Sequence, residues 1–128
     1  MASILRVNTL SDASSNNSIA TSFVFSGSAK VWADVDMTGT ATLDDSFNVS
    51  GLTDHGTGSF TITHSSDMGN GNYVYTAGFN NEVSDASAFL KIHSPGDKLA
   101  ASAKFKKIEN NSAADCSGNY IAIHGDLA

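Results

Sequence analysis

Apolar and polar residues alternate along most of the chain after residue 28, and this alternation predicts β-strands. Between residues 29 and 37 every second residue is apolar, while Lys30, Trp32, Asp34 and Asp36 take the positions in between. A period of two places apolar side chains on one face of a strand. The same alternation recurs in further segments, at residues 59–64, 73–79, 87–94, 98–108 and 120–124.

Turn-forming residues separate these segments at intervals of about 8–12 residues, which is typical of antiparallel sandwiches. Glycine and asparagine cluster at residues 54–58 and 69–72, and Pro95 opens another turn. We therefore predict an all-β fold, an antiparallel β-sandwich of jelly-roll-like type over residues 29–128, with an irregularity at Gly51. The predicted core residues are Val31, Val35, Phe47, Val49, Phe60, Ile62, Leu90, Ile92 and Ile123, and the predicted inward positions of the next-to-last strand are Leu99, Ala101, Ala103 and Phe105.

Residues 1–28 lack this alternation and form a separate, extended N-terminal segment in our interpretation. A polar stretch, SDASSNNS at residues 11–18, divides its apolar residues into two groups that cannot bury one another. Identical chains around a shared axis are the simplest partner, so we predict attachment and trimerisation through this segment. Trp32 joins it because it lies on the polar face of its strand. The candidate residues of a homotrimer interface are Ile4, Leu5, Val7, Leu10, Ile19 and Trp32.

Charge narrows the range of partners. The chain carries 7 Lys and Arg against 13 Asp and Glu, a net charge of −6. An acidic surface repels phosphate, so we expect no nucleic-acid partner and no binding to anionic membranes. We also expect no membrane insertion, because no apolar run approaches the roughly 18 residues of a spanning helix. Lys104, Lys106 and Lys107 are interpreted as solvated lysines that protect a strand edge.

The residues that could carry chemistry lack the necessary spacing. The histidines do not form a local metal-ligand pair, although one repeated by threefold symmetry stays an alternative. Asp34 and Asp36 are interpreted as solvated surface acids, and the serines lack a GxSxG motif. Cys116 has no partner for an intrachain disulfide. The sequence therefore predicts a protein that is not an enzyme, without catalytic residues, metal or cofactor.

Recognition residues are sought in the loops that a rigid sandwich presents. We favour the loop at residues 80–87 and the loop at residues 110–119, with Tyr120 as a stacking platform for a sugar ring. Because these loops carry few charges, a neutral or weakly polar glycan is the expected ligand. The candidate receptor-contact residues are Asn80, Asn81, Asn110, Asn111, Asn119 and Tyr120.

Several strings are more specific than the composition. They are ILRVNTLSDA at residues 4–13, NNSIAT at 16–21, GSAKVW at 27–32 and DSFNVSGLTDHGTG at 45–58. Over about the first 75 residues the chain resembles tail fibre proteins of tailed phages of aquatic bacteria. The resemblance implies a virion structural protein, usually trimeric, that contributes to host attachment by binding a cell-surface glycan or protein. It implies no catalytic residues.

The start of the chain lacks the pattern of a signal peptide, so we expect synthesis in the bacterial cytoplasm and release by lysis. The expected location is the virion, with other phage tail or virion proteins as partners. Domains of the resembling type often end a long fibre, whereas 128 residues suit a short fibre, a fibre tip or another position on the particle. The alternatives are a non-adhesive head decoration or tail adaptor and, more weakly, a glycan hydrolase.

Overall fold

The computed structural model describes residues 3–80 and 87–128, and strands dominate this part of the chain. One α-helix, α1 (Thr21–Gly27), and a 3₁₀ turn, Pro95–Asp97, are the helical elements of the described residues. The strands are β1 (Thr9–Ser11), β2 (Ser18–Ala20), β3 (Val31–Asp36), β4 (Thr42–Phe47), β5 (Val49–Asp54), β6 (Ser59–His64), β7 (Val74–Phe79), β8 (Ala88–Ile92), β9 (Ser102–Glu109), β10 (Ser112–Ala113) and β11 (Asn119–His124).

Two sheets pack face to face. The first sheet has the strand order β4-β3-β11-β7, and the second runs β5-β6-β9, with β8 and the short β10 also paired to β9. Every pairing in both sheets is antiparallel. The prediction of an all-β antiparallel sandwich is therefore confirmed.

The core lies between the two sheets and follows the predicted alternation. Val31, Val35, Phe60, Ile62 and Ile123 are fully buried, and so is most of Leu90. Apolar side chains at every second strand position meet here because successive side chains point to opposite faces. The aromatic centre consists of Phe60 against Phe105, with ring centroids 5.8 Å apart, and Tyr75 edge-on to Phe105 at 5.6 Å.

The prediction that Phe47 is a core residue is wrong, because its side chain is 55% exposed. The chain turns a corner at Asn48, whose φ of 58° ends β4 in the first sheet and starts β5 in the second. The Asn48 amide fixes this corner by donating to the Lys30 and Ser66 carbonyls, each at 3.0 Å, and by accepting the Ser66 N–H. Within β4 the pairing with β3 shifts register, because Asp44 is an extra residue between Asp45, opposite Asp34, and Leu43, opposite Val35. This β-bulge interrupts the alternation and places Phe47 on the outer face, opposite Trp32.

Other core assignments fall between these cases. Val49 and Ile92 are only half-buried, while Leu99 and Ala101 are exposed. The reason for the last two is that β9 begins at Ser102, so both lie in the preceding turn. The irregularity predicted at Gly51 is confirmed, since the β5–β6 register shifts between Val49 and Gly51.

Lys107 corrects the interpretation of the lysine group as a solvated edge. Strand β9 is interior, paired with β6 on one side and β8 on the other. The Lys107 side chain points between the sheets and is 2% exposed, with its amine 2.9 Å from the Glu109 carboxylate and 5.4 Å from the Phe79 ring centre. A buried ammonium needs such a partner, and a charge two residues away on the same strand face supplies it.

The N-terminal segment differs from the extended form expected. Strands β1 and β2 form a separate hairpin, and α1 follows directly. Within the described residues, neither β1 nor β2 pairs with a strand of the sandwich. The backbone that follows β2 has no neighbouring strand to pair with and satisfies its hydrogen bonds within the helix α1. At the junction with β3 the Lys30 amine donates to the Phe25 and Ser28 carbonyls.

Candidate functional site

The predicted trimer-interface residues of the N-terminal segment all lie on the surface. Ile4 is 74% exposed and Leu5 is 81% exposed, and the β1–β2 hairpin sets Leu10 directly opposite Ile19. Sequence reasoning missed a further group on α1, where Phe23 is 72% exposed. The exposed apolar side chains of the segment are Ile4, Leu5, Val7, Leu10, Ile19, Phe23, Val24 and Phe25.

Polar contacts shape the hairpin that carries these residues. The Asp12 carboxylate accepts the Asn16 N–H at 3.0 Å and the Asn17 amide at 2.8 Å, closing the turn. The hydrogen bond from the Asn17 side chain is the main cause that lowers the pKa of Asp12. Thr21 fixes the start of α1, because its N–H donates to the Asn8 carbonyl at 2.9 Å and its hydroxyl to the Val7 carbonyl at 3.1 Å. The segment therefore has a defined shape while its apolar side chains stay uncovered.

Trp32 lies on the outer face of the first sheet. It stands opposite Phe47 on β4 and Ala122 on β11, and it is 38% exposed. Tyr120, a candidate receptor contact, projects from the same face of β11, opposite Asp34. We call the surface formed by Trp32, Phe47 and Tyr120 the aromatic face. A candidate for subunit contact and a candidate for receptor contact thus share one surface.

The Tyr120 ring is placed by two glycines. It lies over Gly118, where an added Cβ would come within 2.7 Å of the ring Cζ. It also lies beside Gly78, where an added Cβ would be 3.9 Å from the ring Cδ2. Asn80 lies at the same end of the sheet, because its N–H donates to the Gly118 carbonyl at 2.7 Å. The structure therefore brings Asn80 and Tyr120 together. Asn81 and most of the loop at residues 80–87 lie outside the described residues.

The remaining asparagine candidates have structural roles. Asn119 is fully buried, and its amide donates to the Val35 carbonyl at 2.9 Å, so its assignment as a receptor contact is wrong. Its position one residue before Tyr120 makes it inward-facing, which the alternation of β11 could have indicated. Asn110 and Asn111 are exposed but form the β9–β10 turn, with φ of 47° and 65°. Their turn joins two strands of the second sheet, whereas Tyr120 lies on a strand of the first sheet.

Carboxylates border the aromatic face. Asp34 stands opposite Asp45 on β4, and one Asp34 carboxylate oxygen is buried without a hydrogen-bond partner. Burial raises the pKa of Asp34, and the neighbouring carboxylates of Asp44, Asp36 and Asp45 raise it further. Asp34 is therefore not the freely solvated acid that the sequence predicts.

A cleft lies elsewhere, between the turn before β7 and the segment after β8. It has a volume of about 530 Å³. Its cationic side chains are Lys91 and Lys98, His93 also lines it, and Tyr75 and Pro95 contribute apolar surface. The sequence predicts the turns at residues 69–72 and at Pro95 and offers both as candidate recognition loops, but it does not predict that they meet, because they lie about twenty residues apart along the chain.

Within the described residues, no three His, Cys, Asp or Glu side chains are close enough to hold a metal ion. In the same residues no helix has the length and apolar character needed to cross a membrane. The chain matches no protein-family model, no curated protein and no solved structure.

Proposed function

We propose that the chain is a phage virion structural protein of tail-fibre or fibre-tip type, which forms a homotrimer through its N-terminal segment and contributes to host attachment. The observation that carries the proposal is the concentration of exposed apolar side chains at residues 4–25 in a chain whose sandwich is well packed. The resemblance of the first 75 residues to phage tail fibres supports the same assignment.

The energetics favour self-association. Burial of apolar surface contributes about 25 cal/mol per Å², so a few hundred Å² per chain stabilises a trimer by several kcal/mol. Leu10 and Ile19 are adjacent across the hairpin, and Phe23 follows on α1, which gives each chain an apolar surface of fixed shape. Large exposed apolar patches mark interaction sites in soluble proteins.

The sandwich is the part we assign to attachment. Its sheets hold Tyr120 and Asn80 at one end of the aromatic face, and aromatic rings on a rigid sheet are suited to stacking on sugars. Weak contacts of this kind gain strength when a trimer presents several copies. Trp32 extends this surface, either toward the receptor or toward a neighbouring subunit.

Light scattering tests the assembly. We expect the mass of a trimer at micromolar concentration for the full chain and the mass of a monomer for Leu5→Ser combined with Phe23→Ser. The matched control is Leu99→Ser, which removes an exposed leucine from the sandwich and should leave the trimer intact. A monomeric full chain would contradict the proposal.

Electron microscopy of particles and adsorption assays test the function. We expect the protein at the tail, and we expect particles carrying Trp32→Ala and Tyr120→Ala to adsorb poorly. Asp67→Ala, an exposed residue in the loop after β6, is the control. Location on the head, or at a joint between tail proteins with unchanged adsorption, would instead support the decoration or adaptor alternative.

A second candidate, glycan hydrolysis, is favoured by one observation. The pKa of Asp34 is raised, while Asp45 stands opposite it beside the aromatic face. Glycosidases use a pair of carboxyl groups of which one, the general acid, has a raised pKa. Release of reducing ends from host polysaccharide by the native chain, abolished in Asp34→Asn, would establish it.

A further inference from the structure

The outer face of the second sheet is basic in a protein that is acidic overall. Lys104 and Lys106 project outward from β9, and Lys91 of β8 stands directly opposite Lys106. Threonine and serine hydroxyls take neighbouring outward positions, with Thr61 opposite Lys104. In the described part of β6, β8 and β9, no carboxylate occupies an outward position of this face. We call Lys91, Lys104 and Lys106 the lysine row.

The cleft described above continues this row, because Lys91 belongs to both. On its other side, the Lys98 amine donates to the Tyr73 carbonyl at 2.9 Å, which holds it in place and leaves two N–H groups. The Tyr75 hydroxyl accepts the Ile92 N–H at 3.2 Å and keeps its own proton to donate. The Asp97 carboxylate, next to Lys98 in the chain, lies 2.6 Å from the His93 Nδ1.

Donors and cations therefore converge on a cleft that also has apolar walls. Two ammonium groups and a phenol favour an anion, while the ring of Tyr75 and the side chains of Ile92 and Pro95 favour a ligand with a carbon skeleton. The volume of about 530 Å³ lies within the range of small-molecule sites. A sugar that carries a carboxylate meets all three requirements.

We propose that the cleft binds a carboxylated sugar and that the lysine row binds the following residues of the same acidic polysaccharide. This adds an anionic ligand to the neutral glycan expected from the loops, because the cations lie on strands and in turns that were not favoured as recognition elements. The inference rests on the proposed attachment function in one respect, the assignment of the polysaccharide to a host cell surface. Binding itself is a property of the isolated chain.

Nuclear magnetic resonance titration of the full chain tests the cleft. We expect glucuronate to shift the amide signals of residues 71–72, 91–94 and 96–98, with a Kd of about 1 mM, equivalent to about 4 kcal/mol. Glucose and inorganic phosphate at equal concentration should bind at least about tenfold more weakly, since each lacks one recognised feature. Equal binding of glucose would overturn the proposal, and so would tighter binding of phosphate or no response to glucuronate.

Charge variants separate the cleft from the lysine row. The double variant Lys91→Gln, Lys98→Gln should abolish the response to glucuronate. The double variant Lys104→Gln, Lys106→Gln should preserve the response to glucuronate and weaken binding of a polyuronate oligomer about tenfold. Arg6→Gln, outside the sandwich, is the charge control, and a thermal melt of each variant reports folding. Native polyuronate affinity should fall as salt rises.

Two results would overturn the proposal. One is polyuronate binding that the double variant Lys104→Gln, Lys106→Gln retains in full, and the other is stronger binding of single-stranded DNA than of polyuronate by the native chain. Neither result depends on the trimer mass or on the location in the particle. Failure of the site and failure of the proposed function are therefore distinguishable.

Discussion

The N-terminal segment and the sandwich contain the same kinds of apolar side chain, but the sandwich buries them and the segment exposes them. Phe60 and Ile62 in the sandwich are fully buried, whereas Phe23 and Leu5 in the segment are more than 70% exposed. The sandwich has a second sheet to cover each apolar face, and the hairpin with its helix has none within one chain. The comparison teaches that the sandwich buries its own apolar side chains, while the segment leaves its apolar side chains uncovered.

Alanine substitution at three phenylalanines sharpens this comparison most. Phe60→Ala should destabilise the chain by about 3–5 kcal/mol, because it leaves a cavity beside Phe105. Phe47→Ala, on the outer face, should cost less than about 1 kcal/mol. Phe23→Ala should leave sandwich unfolding unchanged and weaken self-association. Urea unfolding and light scattering measure both quantities, and a large loss of sandwich stability in Phe23→Ala would break the comparison.

The buried ion pair tests whether the interior of the sandwich tolerates charge only in pairs. Glu109→Gln leaves the Lys107 ammonium without its carboxylate, and we expect a loss of about 3 kcal/mol. Adding Lys107→Met should recover part of that loss, because a buried apolar chain needs no partner. The free energy of unfolding of the single and double variants checks this. A neutral effect of Glu109→Gln would mean that water reaches the amine.

Gly118→Ala tests the packing at the end of the aromatic face. The added Cβ would meet the Tyr120 ring and come within 3.3 Å of the Asn80 Cβ, so the ring must move, at a cost of about 1–3 kcal/mol. Tyr120→Ala should relieve this cost in the double variant. Thermal unfolding of the three variants measures the coupling, and additive effects would show that the ring is already mobile.

Asp34→Asn should give the smallest effect, and its sign is opposite to the others. Because the pKa of Asp34 is raised in the folded chain, the group opposes folding increasingly as the pH rises from the unfolded value of 3.8 through the folded value. Removing the charge should stabilise the chain at pH 7 by about 0.2–1 kcal/mol, the range for like charges opposite one another on a sheet, and have little effect near pH 3. Melting temperatures at both pH values check this, and destabilisation at pH 7 would contradict it.

The sequence predicted those features that depend on local alternation. Val31, Phe60 and Ile123 were placed correctly, because period-two burial needs only the knowledge that a strand has one covered face. Phe47 was placed wrongly because the β-bulge at Asp44 shifts the register within β4 and reverses the faces of the residues that follow. Such a bulge is not visible in the hydrophobic pattern.

The sites depended on contacts between distant segments and were predicted less well. The surface position of Ile4 and Leu5 followed from their lack of local partners. The cleft at Lys91 and Lys98 did not, since its walls meet only after β7 and β8 have entered different sheets. The burial of Lys107 required knowing that β9 is interior, which the spacing of its lysines does not reveal.

The position of Lys107 provides a chemical reporter of sheet separation. An amine-acylating reagent can reach Lys104 and Lys106, which are partly exposed, while Lys107 on the same strand is shielded. A chymotryptic fragment that begins after Phe105 therefore contains both a reactive reference, Lys106, and a protected amine, Lys107. Mass spectrometry after a short exposure to the reagent would follow the opening of the two sheets in the native chain, without any mutation.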